Sequence, residues 1–461
     1  MAYTDGGNPE ELLESYACSY DKSGRITRLQ RKNRISDENP IDETRQYTYD
    51  SHGRLTQDVV TDNLVVIDPE EEGPQENTQT FTYTYDAAGN RIGENGPDGA
   101  VSYTYNGLSQ LEGMESAAEE VTYAYDERGN RIRENNVTEG TAKTNTYAVT
   151  GELLSVSQET AEGTAVLQTN DYDEAGQRIR RLEGNAEKTW HYDDEGSILF
   201  TEDGSGVLAV HVNGASGNLI GAYRTDNSGS RYDTYHKDIQ GSTSAVTASD
   251  GSLAALYRYS DFGEVEEAAD PAIDNDICYT GAVYDRTTGL HYLNARYYDP
   301  GTANFLSQDT YRGGLMDEKQ WNLYAYCAND PVNYSDPTGH FAVAVAFTVG
   351  IAFGPLGWIA LGGTAAIMVG FYAYHKYRQN NPRMTTHKQT TYRSKKYTSS
   401  KGQTRTKKAQ TKAKTSSKTK YKSKGKQSQR MGLKREGAHQ EIINGIITNT
   451  MRMQQRIFRI I

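Results

Sequence analysis

The stretch Y-T-Y-D-A-A-G-N-R-I, from Tyr83 to Ile92, returns almost unchanged as Y-A-Y-D-E-R-G-N-R-I from Tyr123 to Ile132. Side chains of a β-strand alternate between its two faces, so the Y-x-Y pair places both rings on the same face. The Asp accepts hydrogen bonds from backbone N–H groups ahead of it, and the Gly adopts the left-handed conformation that closes a turn. Each copy therefore predicts a strand, a tight turn and a returning strand.

Copies of this unit fill residues 1–200 and are separated by polar spacers. Tyr85, Tyr105 and Tyr125 are spaced by 20 residues, a period that holds two short strands and two turns. A single unit cannot bury its own tyrosine face, so neighbouring units must pair or stack. Further copies, complete or weakened, begin at Tyr20, Tyr47, Tyr103, Tyr172 and Tyr192.

Composition and charge indicate a repetitive β-protein that is followed by a C-terminal part of different composition. The 461 residues include 34 Tyr and 44 Gly but only 9 Phe, which favours short strands and tight turns. The net charge of −12 is divided unevenly: residues 1–340 carry −34, whereas residues 341–461 carry +22. Two parts of opposite sign point to two different roles and to attraction between the parts.

Cysteine and histidine patterns predict no metal or cofactor site. None of the three cysteines, Cys18, Cys278 and Cys327, is part of a CxxC pair, so neither a disulfide framework nor a zinc site is expected. His236 and Asp238 have no second His or Cys at ligand spacing, and we interpret them as polar residues at a strand edge. No nucleophile–base pair or cofactor motif of a metabolic enzyme is found, and no cofactor is predicted.

The beginning of the chain bears on export. Met1 opens directly into polar sequence, with no basic segment followed by an apolar one, so no secretory signal is predicted. The repeats begin abruptly, which favours the interpretation that the chain is the distal piece of a longer protein. Export by another route is the alternative.

The segment 341–371 contains no charged residue, and its 31 residues exceed the ~20 that span a bilayer. The sequence G-P-L-G, from Gly354 to Gly357, interrupts it midway. This break predicts either a kinked span or a hairpin of two short helices that does not cross. The alternative is an apolar plug held inside a protein shell.

Residues 372–435 contain no acid and are dominated by Lys, Ser, Thr and Gln, which predicts a disordered basic tail. Its charge alone would allow contact with phosphate backbones or anionic lipid, but a simply solvated tail is the favoured interpretation. Isoleucines between Ile442 and Ile447 recur at helical spacing and predict a short amphipathic helix within 436–461.

Two further motifs point to a family. The block G-L-H-Y-L-N-A-R-Y-Y-D-P runs from Gly289 to Pro300, and D-P-T-G runs from Asp336 to Gly339. Together with the Y-x-Y-D-x-x-G repeats, they resemble the Rhs/YD-repeat family over about residues 16–340. That family includes the Rhs polymorphic toxins, wall-associated proteins of Gram-positive bacteria, the C component of insecticidal toxin complexes and the YD shell of teneurins.

The resemblance implies a mainly β fold, in which a long sheet of YD repeats spirals into a hollow shell closed at one end by the Rhs-associated core. An apolar helical segment and a disordered basic tail would follow the shell. The predicted order is YD repeats in 1–200, continuing β shell in 201–280, the Rhs-associated core in 281–340, a hydrophobic segment and candidate transmembrane span in 341–371, the basic tail in 372–435 and the short helix in 436–461.

In bacterial members the variable C-terminal region is a toxin cargo that is packed in the shell and released by self-cleavage just after the D-P-x-G motif. The resemblance assigns this cleavage to an aspartate pair, here Asp309 and Asp336, and to the bond between His340 and Phe341. Two close carboxylates that share one proton can act as base and acid on one water, because their like charges split their pKa values. The pair lies 27 positions apart, so only the fold can bring it together.

The chain departs from the common family pattern around this motif. Thr310 replaces the usual Pro after the first aspartate, and Ala303 and Asn304 replace the usual Gly-Arg. His340 stands where Leu often does. The structural alternative for both aspartates is that they only cap turns.

Two functional hypotheses follow, each with its own partners. The first is a polymorphic toxin that is exported or surface-exposed, carries its own C-terminal segment as cargo and has an immunity protein as cognate partner. The second is a cell-surface or wall-associated binding protein whose exposed tyrosines contact carbohydrate and whose segment 341–371 anchors it in a membrane. Nucleic acid is a weaker candidate partner, indicated only by the Lys-rich tail.

Overall fold

The structure is a computed structural model of the chain. It describes residues 2–345 with interruptions; the predicted tail 372–435, the predicted helix 436–461 and most of the apolar segment 341–371 lie outside the described residues. The interruptions are residues 6–7, 36–39, 65–76, 194–195, 207, 215–217, 227–228, 270–272, 274, 311–320 and 341.

One antiparallel sheet of 23 strands extends from Ala2 to Ala269. Each strand pairs with the strand before it and the strand after it, so the sheet is a continuous meander. Pairing of this kind needs only short connections, which the turns of the repeats provide. The strands are β1 Ala2–Asp5, β2 Asn8–Tyr20, β3 Ile26–Asn33, β4 Ile41–Tyr49, β5 Leu55–Asp62, β6 Asn77–Tyr85, β7 Arg91–Gly96, β8 Gly99–Tyr105, β9 Leu111–Ser116, β10 Glu120–Tyr125, β11 Arg131–Asn136, β12 Thr141–Tyr147, β13 Leu153–Thr160, β14 Gly163–Tyr172, β15 Arg178–Glu183, β16 Ala186–Tyr192, β17 Ile198–Asp203, β18 Leu208–Asn213, β19 Leu219–Asp226, β20 Gly229–Lys237, β21 Thr243–Thr247, β22 Leu253–Tyr259 and β23 Val265–Ala269.

The predicted D-x-x-G turn is present in the repeats. Oδ1 of Asp86 accepts the N–H of Asn90 at 2.8 Å, and the N–H of Gly89 donates to the carbonyl of Asp86 at 3.2 Å. Gly89 has a φ of +80°, at which a residue with a Cβ would be strained. The Asp and Gly of the motif therefore both favour this turn, which Asn106 and Ser109 form in the Tyr103 copy. The same bonds recur at Asp21, Asp50, Asp126, Asp173 and Asp193.

A β-bulge follows the turn of the unit. Tyr85 pairs with Arg91 and Thr84 pairs with Gly93, so Ile92 is an extra residue at that step. The bulge turns Arg91 to the buried face, where it is 3% exposed, and leaves Ile92 40% exposed. Bulges bend and twist the strands that carry them, so their repetition along the sheet curves it.

The second tyrosine of the Y-x-Y pair joins one unit to the preceding one. The hydroxyl of Tyr85 donates to the carbonyl of Leu55 at 2.6 Å, and that of Tyr172 donates to the carbonyl of Leu153 at 2.7 Å. In both cases the acceptor is the first strand residue after the preceding turn. Phenylalanine has no hydroxyl for this bond, which accounts for the preference for Tyr over Phe. Equivalent bonds are made by Tyr49, Tyr105, Tyr147, Tyr192 and Tyr259.

Residues 275–345, which we call the core unit, pack against the buried face of the large sheet. Its described residues form a four-stranded sheet, a two-stranded sheet and two short 3-10 helices, Tyr279–Gly281 and Tyr326–Asn329. Leu55 of the large sheet shares one buried apolar cluster with Val332. The strands of the core unit are β24 Val283–Asp285, β25 Leu290–Tyr292, β26 Tyr297–Asp299, β27 Asn304–Phe305, β28 Tyr334–Ser335 and β29 Val343–Ala344.

Polar groups of the core unit bond to successive turns of the repeats. The N–H of Ile26 donates to the side chain of Asn333 at 2.8 Å, and the N–H of Arg178 donates to the hydroxyl of Tyr292 at 2.8 Å. The core unit thereby holds strands that are far apart in sequence along one curve. Contacts between these two points are made by Asn322 and Asn329 to Gly89 and by Tyr324 to Gly129.

Antiparallel strands dominate the described residues, which confirms the prediction of a mainly β fold. The turn at Asp250 and Gly251 leads into β22, and Gly251 has a φ of +86°. Within the described part of the chain, no helix has the length and apolar character needed to cross a membrane.

Candidate active site in the last turn of the core unit

The fold brings Asp309 and Asp336 to one guanidinium group. Nη2 of Arg296 lies 2.8 Å from Oδ2 of Asp309 and 3.7 Å from Oδ2 of Asp336. All three residues are buried, with exposures of 6% for Arg296, 8% for Asp309 and 3% for Asp336. Two buried carboxylates repel each other, so the cation beside them is what keeps both in the same place.

Arg296 is fixed from several sides. It immediately precedes β26, its guanidinium carbon lies 3.6 Å from the centroid of the Phe305 ring, and its Nη1 donates to the carbonyl of Leu323 at 3.0 Å. Its Nε donates to the carbonyl of Gly339, which ties it to the D-P-T-G turn. Burial lowers the pKa of Arg296, whereas the two carboxylates raise it. Arginine nevertheless stays protonated in proteins, so the pair has a permanent cation.

Asp336 also organises the turn to which it belongs. Its Oδ1 accepts the backbone N–H of Thr338 at 3.3 Å and that of His340 at 3.1 Å. The turn capping that the sequence left as an alternative is therefore observed for Asp336, in addition to its contact with Arg296. The carboxylate of Asp309 instead lies against Arg296 and His340, both distant from it in sequence.

Gly339 lets the D-P-T-G turn pack on the segment that carries Arg296. Its φ is +73°, and a Cβ atom there would lie 2.5 Å from the carbonyl oxygen of Leu293 and 3.0 Å from the nitrogen of Arg296. The N–H of Ala295 donates to the carbonyl of Thr338 at 3.2 Å across the same contact. Any larger residue at this position would separate the turn from the arginine.

His340 contacts both aspartates. Its backbone N–H donates to Asp336, and its Nδ1 lies 2.9 Å from Oδ1 of Asp309. The structure thus places one side of the predicted cleavage bond, while Phe341 lies outside the described residues.

The residues that follow this bond also pack within the core unit. Strand β29 pairs with β28, so that Val343 lies opposite Ser335. The N–H of Val345 donates to the carbonyl of Asn333 at 2.8 Å, and Val345 is 2% exposed. Residues on both sides of the predicted bond are therefore held by the same scaffold.

A strained turn lies close to the pair. Cys327, Ala328 and Asn329 have consecutive φ values of +47°, +52° and +62°, a conformation that costs about 1–2 kcal/mol per residue other than glycine. Burial, and secondarily the carboxylate of Asp336, raise the pKa of Cys327 well above its usual value. The thiol stays protonated and is not an activated nucleophile. The acid–base groups available at this site are therefore the carboxylates and the imidazole.

The other polar pair that the sequence singles out belongs to a strand and its turn. Nε2 of His236 lies 3.1 Å from the hydroxyl of Thr247. Oδ1 of Asp238 accepts the N–H groups of Gln240 and Ser242, each at 2.8 Å. His236 and Asp238 thus make polar contacts within β20, its neighbouring strand and the turn that follows. Among the residues that the structure describes, no group of three or more His, Cys, Asp or Glu side chains is placed to hold a metal ion.

Two features of the site were not predicted from the sequence. Arg296 lies within a family motif that assigns it no role, and the sequence does not indicate the contact between His340 and Asp309. The predicted aspartate pair already implied a neighbouring cation, because two buried carboxylates need a positive charge beside them. Which of the chain's many arginines supplies it depends on how the segment before β26 meets the D-P-T-G turn.

Comparison with known proteins agrees with this architecture. The Teneurin YD-shell family model matches residues 10–213 and 205–332. The chain is 31% identical over 287 residues to the tRNA3(Ser)-specific nuclease WapA of Bacillus spizizenii, a match that covers 60% of this chain and 11% of that protein. It is 33% identical over 111 residues to the double-stranded DNA deaminase toxin A of Burkholderia cenocepacia, which covers 23% of this chain and 7% of that protein. The chain thus spans about a tenth of the length of these curated relatives.

Solved structures show the same fold at lower identity. The crystal structure of TcdB2-TccC3-TEV matches with a TM-score of 0.54 at 19% identity, over 71% of this chain and 17% of that chain. The Photorhabdus luminescens Tc holotoxin pore matches with a TM-score of 0.57 at 18% identity, over 74% of this chain and 17% of that chain. At such identities the likeness concerns the fold alone.

Proposed function

The chain belongs to the Teneurin YD-shell family, and we propose that it is the C-terminal part of an Rhs-type polymorphic toxin that cuts itself between His340 and Phe341. In this proposal residues 1–340 are shell and residues 341–461 are the cargo. The similarity to a WapA nuclease and to a deaminase toxin supports membership of a toxin lineage. The geometry around the D-P-T-G turn supports the reaction itself.

One observation carries the proposal: two buried carboxylates meet at a single arginine, and one of them, Asp336, belongs to the turn that directly precedes the predicted bond. Asp336 touches the main chain of His340, and Asp309 touches its side chain. The bond to be cut therefore begins at a residue that both carboxylates hold. The change from acidic to basic composition begins at the same bond.

In the proposed reaction a water molecule attacks the carbonyl carbon of His340. One carboxylate takes a proton from the water, and a proton held by the other groups of the site passes to the nitrogen of Phe341 as the C–N bond breaks. The products are a carboxyl group on His340 and an amine on Phe341. The charge of Arg296 keeps the two carboxyl groups together throughout.

Cleavage alone would not separate the two products. Strand β29 remains paired with β28, and Val345 remains bonded to Asn333. The shell and the segment after it also carry opposite net charges, which favours their association. We therefore expect the products to stay together until the shell is opened or unfolded.

Intact mass of the purified full-length chain tests the cleavage. Wild type should give two polypeptides, one that ends at His340 and one that begins at Phe341. Asp309→Asn and Asp336→Asn each remove one carboxylate and should give a single uncut chain. Asp126→Asn, a turn aspartate of the repeats, is the matched control and should be cut like wild type. An uncut wild-type chain would contradict the proposal and leave the pair as turn residues.

The cargo and its destination belong to the same proposal. A toxin of this kind acts on neighbouring cells, so we place the protein outside the producing cell or on its surface, with an immunity protein as the producer's protection. The apolar segment 341–371 and the basic tail of the cargo favour a membrane or an anionic target.

Growth of cells that express residues 341–461 tests the cargo. We expect growth to stop, and we expect the uncut Asp336→Asn chain to be less harmful because its cargo remains attached to the shell. Expression of residues 372–461, which lack the apolar segment, separates a membrane effect from an effect of the basic tail. Normal growth with all three polypeptides at comparable levels would contradict a toxic cargo.

The alternative of a carbohydrate-binding surface protein depended on exposed tyrosines, and this premise is wrong. Among the tyrosines whose burial is described, only Tyr20 and Tyr223 are exposed, at 55% and 41%. The rings of the Y-x-Y pairs are buried or half-buried, and the hydroxyl of the second tyrosine bonds the preceding unit. Contact with carbohydrate, with nucleic acid, or with a membrane through 341–371 stays a prediction, and co-fractionation of an uncut chain with membranes or cell wall would favour a surface role.

A further inference from the structure

A cavity of about 480 Å³ lies between the buried face of the large sheet and the segment 258–266. Strands β3 to β7 supply most of its wall, and the end of β22 and the turn after it supply another part. Pockets that bind small ligands measure about 300–1,000 Å³. Asp309 and Asp336 do not line the cavity, so it is separate from the candidate active site.

The wall of the cavity is predominantly negative, with nine acidic residues and four arginines. Arg31, Arg45 and Arg91 already lie 3.4, 3.1 and 2.5 Å from carboxylate oxygens. The fourth arginine, Arg258, is exposed. Because the charges of three arginines are balanced, the surplus of carboxylates makes the cavity attractive to a cation and repulsive to an anion.

Two of the acidic residues lie at the ends of a diagonal row that crosses four strands. The row begins at Glu43 of β4, and its next member is Val60 of β5. Phe81 of β6 and Glu94 of β7 follow, each one strand further and two residues along. Each diagonal step measures about 7–8 Å, so the row spans roughly 20 Å. The cavity thus presents a carboxylate, two apolar side chains and a second carboxylate in line.

Both ends of this row keep unbalanced negative charge. Among the described residues, Glu43 forms no ion pair. Glu94 is paired with Arg91, but Glu264 interacts electrostatically with both of them and has no ion pair of its own in the described part of the chain. One arginine therefore faces two carboxylates at that end, and each end has room for one further positive charge.

Two buried acceptors of the same wall lack a hydrogen bond. Tyr47 is 7% exposed, and its hydroxyl has no hydrogen-bond partner among the described residues. Oδ1 of Asp261, a residue that is 6% exposed, accepts no hydrogen bond either, although Nη1 of Arg45 lies 3.5 Å from it. Buried polar groups are normally satisfied, so these oxygens indicate a ligand that donates hydrogen bonds. Ammonium and protonated secondary amine groups are such donors.

We infer that this cavity binds a linear polyamine, in which ammonium groups alternate with methylene chains. One terminal ammonium group contacts Glu43, and the other contacts Glu94 and Glu264. The methylene chain between them packs along the two apolar side chains of the row, and an inner nitrogen donates to the hydroxyl of Tyr47. A short diamine does not reach both ends of the row, and a metal ion makes no use of its apolar part. This site is independent of the proposed self-cleavage.

Isothermal titration calorimetry of the purified full-length chain with spermine tests this inference, in about 0.15 M salt so that exposed charges are screened. Putrescine, a short diamine, and Mg²⁺ are the comparison ligands. Glu43→Gln removes the charge at one end of the row, and Tyr47→Phe removes the free hydroxyl but keeps the ring. Glu112→Gln, exposed in β9 and outside the cavity, is the matched control.

We expect one spermine to bind per chain and putrescine to bind at least about tenfold more weakly, because it loses one charged contact. Glu43→Gln and Tyr47→Phe should each weaken spermine binding about tenfold, whereas Glu112→Gln should bind like wild type. Spermine should also raise the unfolding temperature of wild type more than that of Glu43→Gln, and the same thermal scans show that the variants are folded.

Absence of spermine binding, or equal affinities for spermine and Mg²⁺, would overturn the inference. The same loss of affinity in Glu112→Gln as in Glu43→Gln would overturn it too, because diffuse attraction to an acidic surface would then explain the binding. Intact mass of the same samples reads cleavage after His340. A chain that is cut but binds no spermine contradicts this inference alone, whereas an uncut chain that binds spermine as expected contradicts only the proposed function.

Discussion

Arg178 is completely buried, and two kinds of contact hold its charge in the interior. Its guanidinium lies over the rings of Trp190 and Tyr292, at 4.7 and 4.5 Å from their centroids. Two of its nitrogens donate to the carboxylate of Asp285, which is also fully buried. The aromatic faces and the bidentate partner together offset the cost of removing a guanidinium from water. The pair joins β15 of the large sheet to β24 of the core unit.

The change Asp285→Asn should be among the most destabilising in the chain. It removes the buried carboxylate that pairs with Arg178 and one of the carboxylates that Arg181 contacts, although Arg181 keeps Asp276 and Glu183. We expect the free energy of unfolding to fall by about 3–5 kcal/mol. Asp171→Asn, which breaks an exposed pair with Arg180, should cost less than about 1 kcal/mol. Chemical denaturation measures both, and equal losses would show that burial does not govern the strength of these pairs.

Substitutions at Gly24 and Gly339 distinguish the cost of a strained backbone from the cost of a packing clash. Their φ values are +80° and +73°, but a Cβ at Gly24 would have no atom within 4 Å, whereas one at Gly339 would meet the carbonyl of Leu293. We expect Gly24→Ala to cost about 1 kcal/mol. Gly339→Ala should cost more and should abolish cleavage, because the turn moves away from Arg296. Thermal unfolding measures the stability of both variants, and intact mass measures their cleavage. A Gly339→Ala chain that is cut normally would contradict a role of this contact in cleavage.

At the level of the repeat unit, alternation and turn chemistry are enough to predict the strand, the Asp cap and the left-handed Gly89, and the structure confirms all three. The bulge at Ile92 and the bond from Tyr85 to Leu55 could not be predicted. Both depend on which residue of the neighbouring strand lies opposite. A pattern with a period of two does not specify that register.

Tyr85→Phe removes only the hydroxyl that bonds the buried carbonyl of Leu55, because the ring remains in place. We expect the free energy of unfolding to fall by about 1 kcal/mol. Tyr20 has the same position in the first repeat but is 55% exposed, so Tyr20→Phe should change stability by less than about 0.5 kcal/mol. Denaturant unfolding compares the two. No loss in Tyr85→Phe would mean that the hydroxyl bonds do not explain the abundance of tyrosine.

Across the whole molecule, the aspartate pair could be named from the sequence because a family motif marks it, whereas its partners could not. Arg296 and His340 approach Asp309 from segments on either side of it, and only the packing of the core unit brings them together. The contacts of the buried arginines of the large sheet also could not be predicted from the sequence. Some of them join residues more than a hundred positions apart, as Arg178 and Asp285 do.

A second carboxylate pair links the early strands to the end of the large sheet. Asp58 of β5 and Asp261 of the turn after β22 share Arg45, which lies 3.1 Å from Asp58 and 3.5 Å from Asp261. Burial and the nearby charge of Asp261 raise the pKa of Asp58 to about 9, although Arg45 acts in the opposite direction. Asp58 therefore keeps a proton at neutral pH in the folded protein.

This proton makes the stability of the whole molecule depend on pH. In the unfolded chain Asp58 ionises near pH 4, so between that pH and about pH 9 unfolding releases a proton and stability falls as the pH rises. Asp58→Asn has no proton to release. Its stability should fall less than that of wild type between about pH 5 and 8, by at least about 1 kcal/mol. Asp62→Asn, exposed in the same strand, should keep the wild-type slope. Denaturant unfolding across this range provides the measurement, and parallel curves for wild type and Asp58→Asn would mean that Asp58 is ionised beside Arg45.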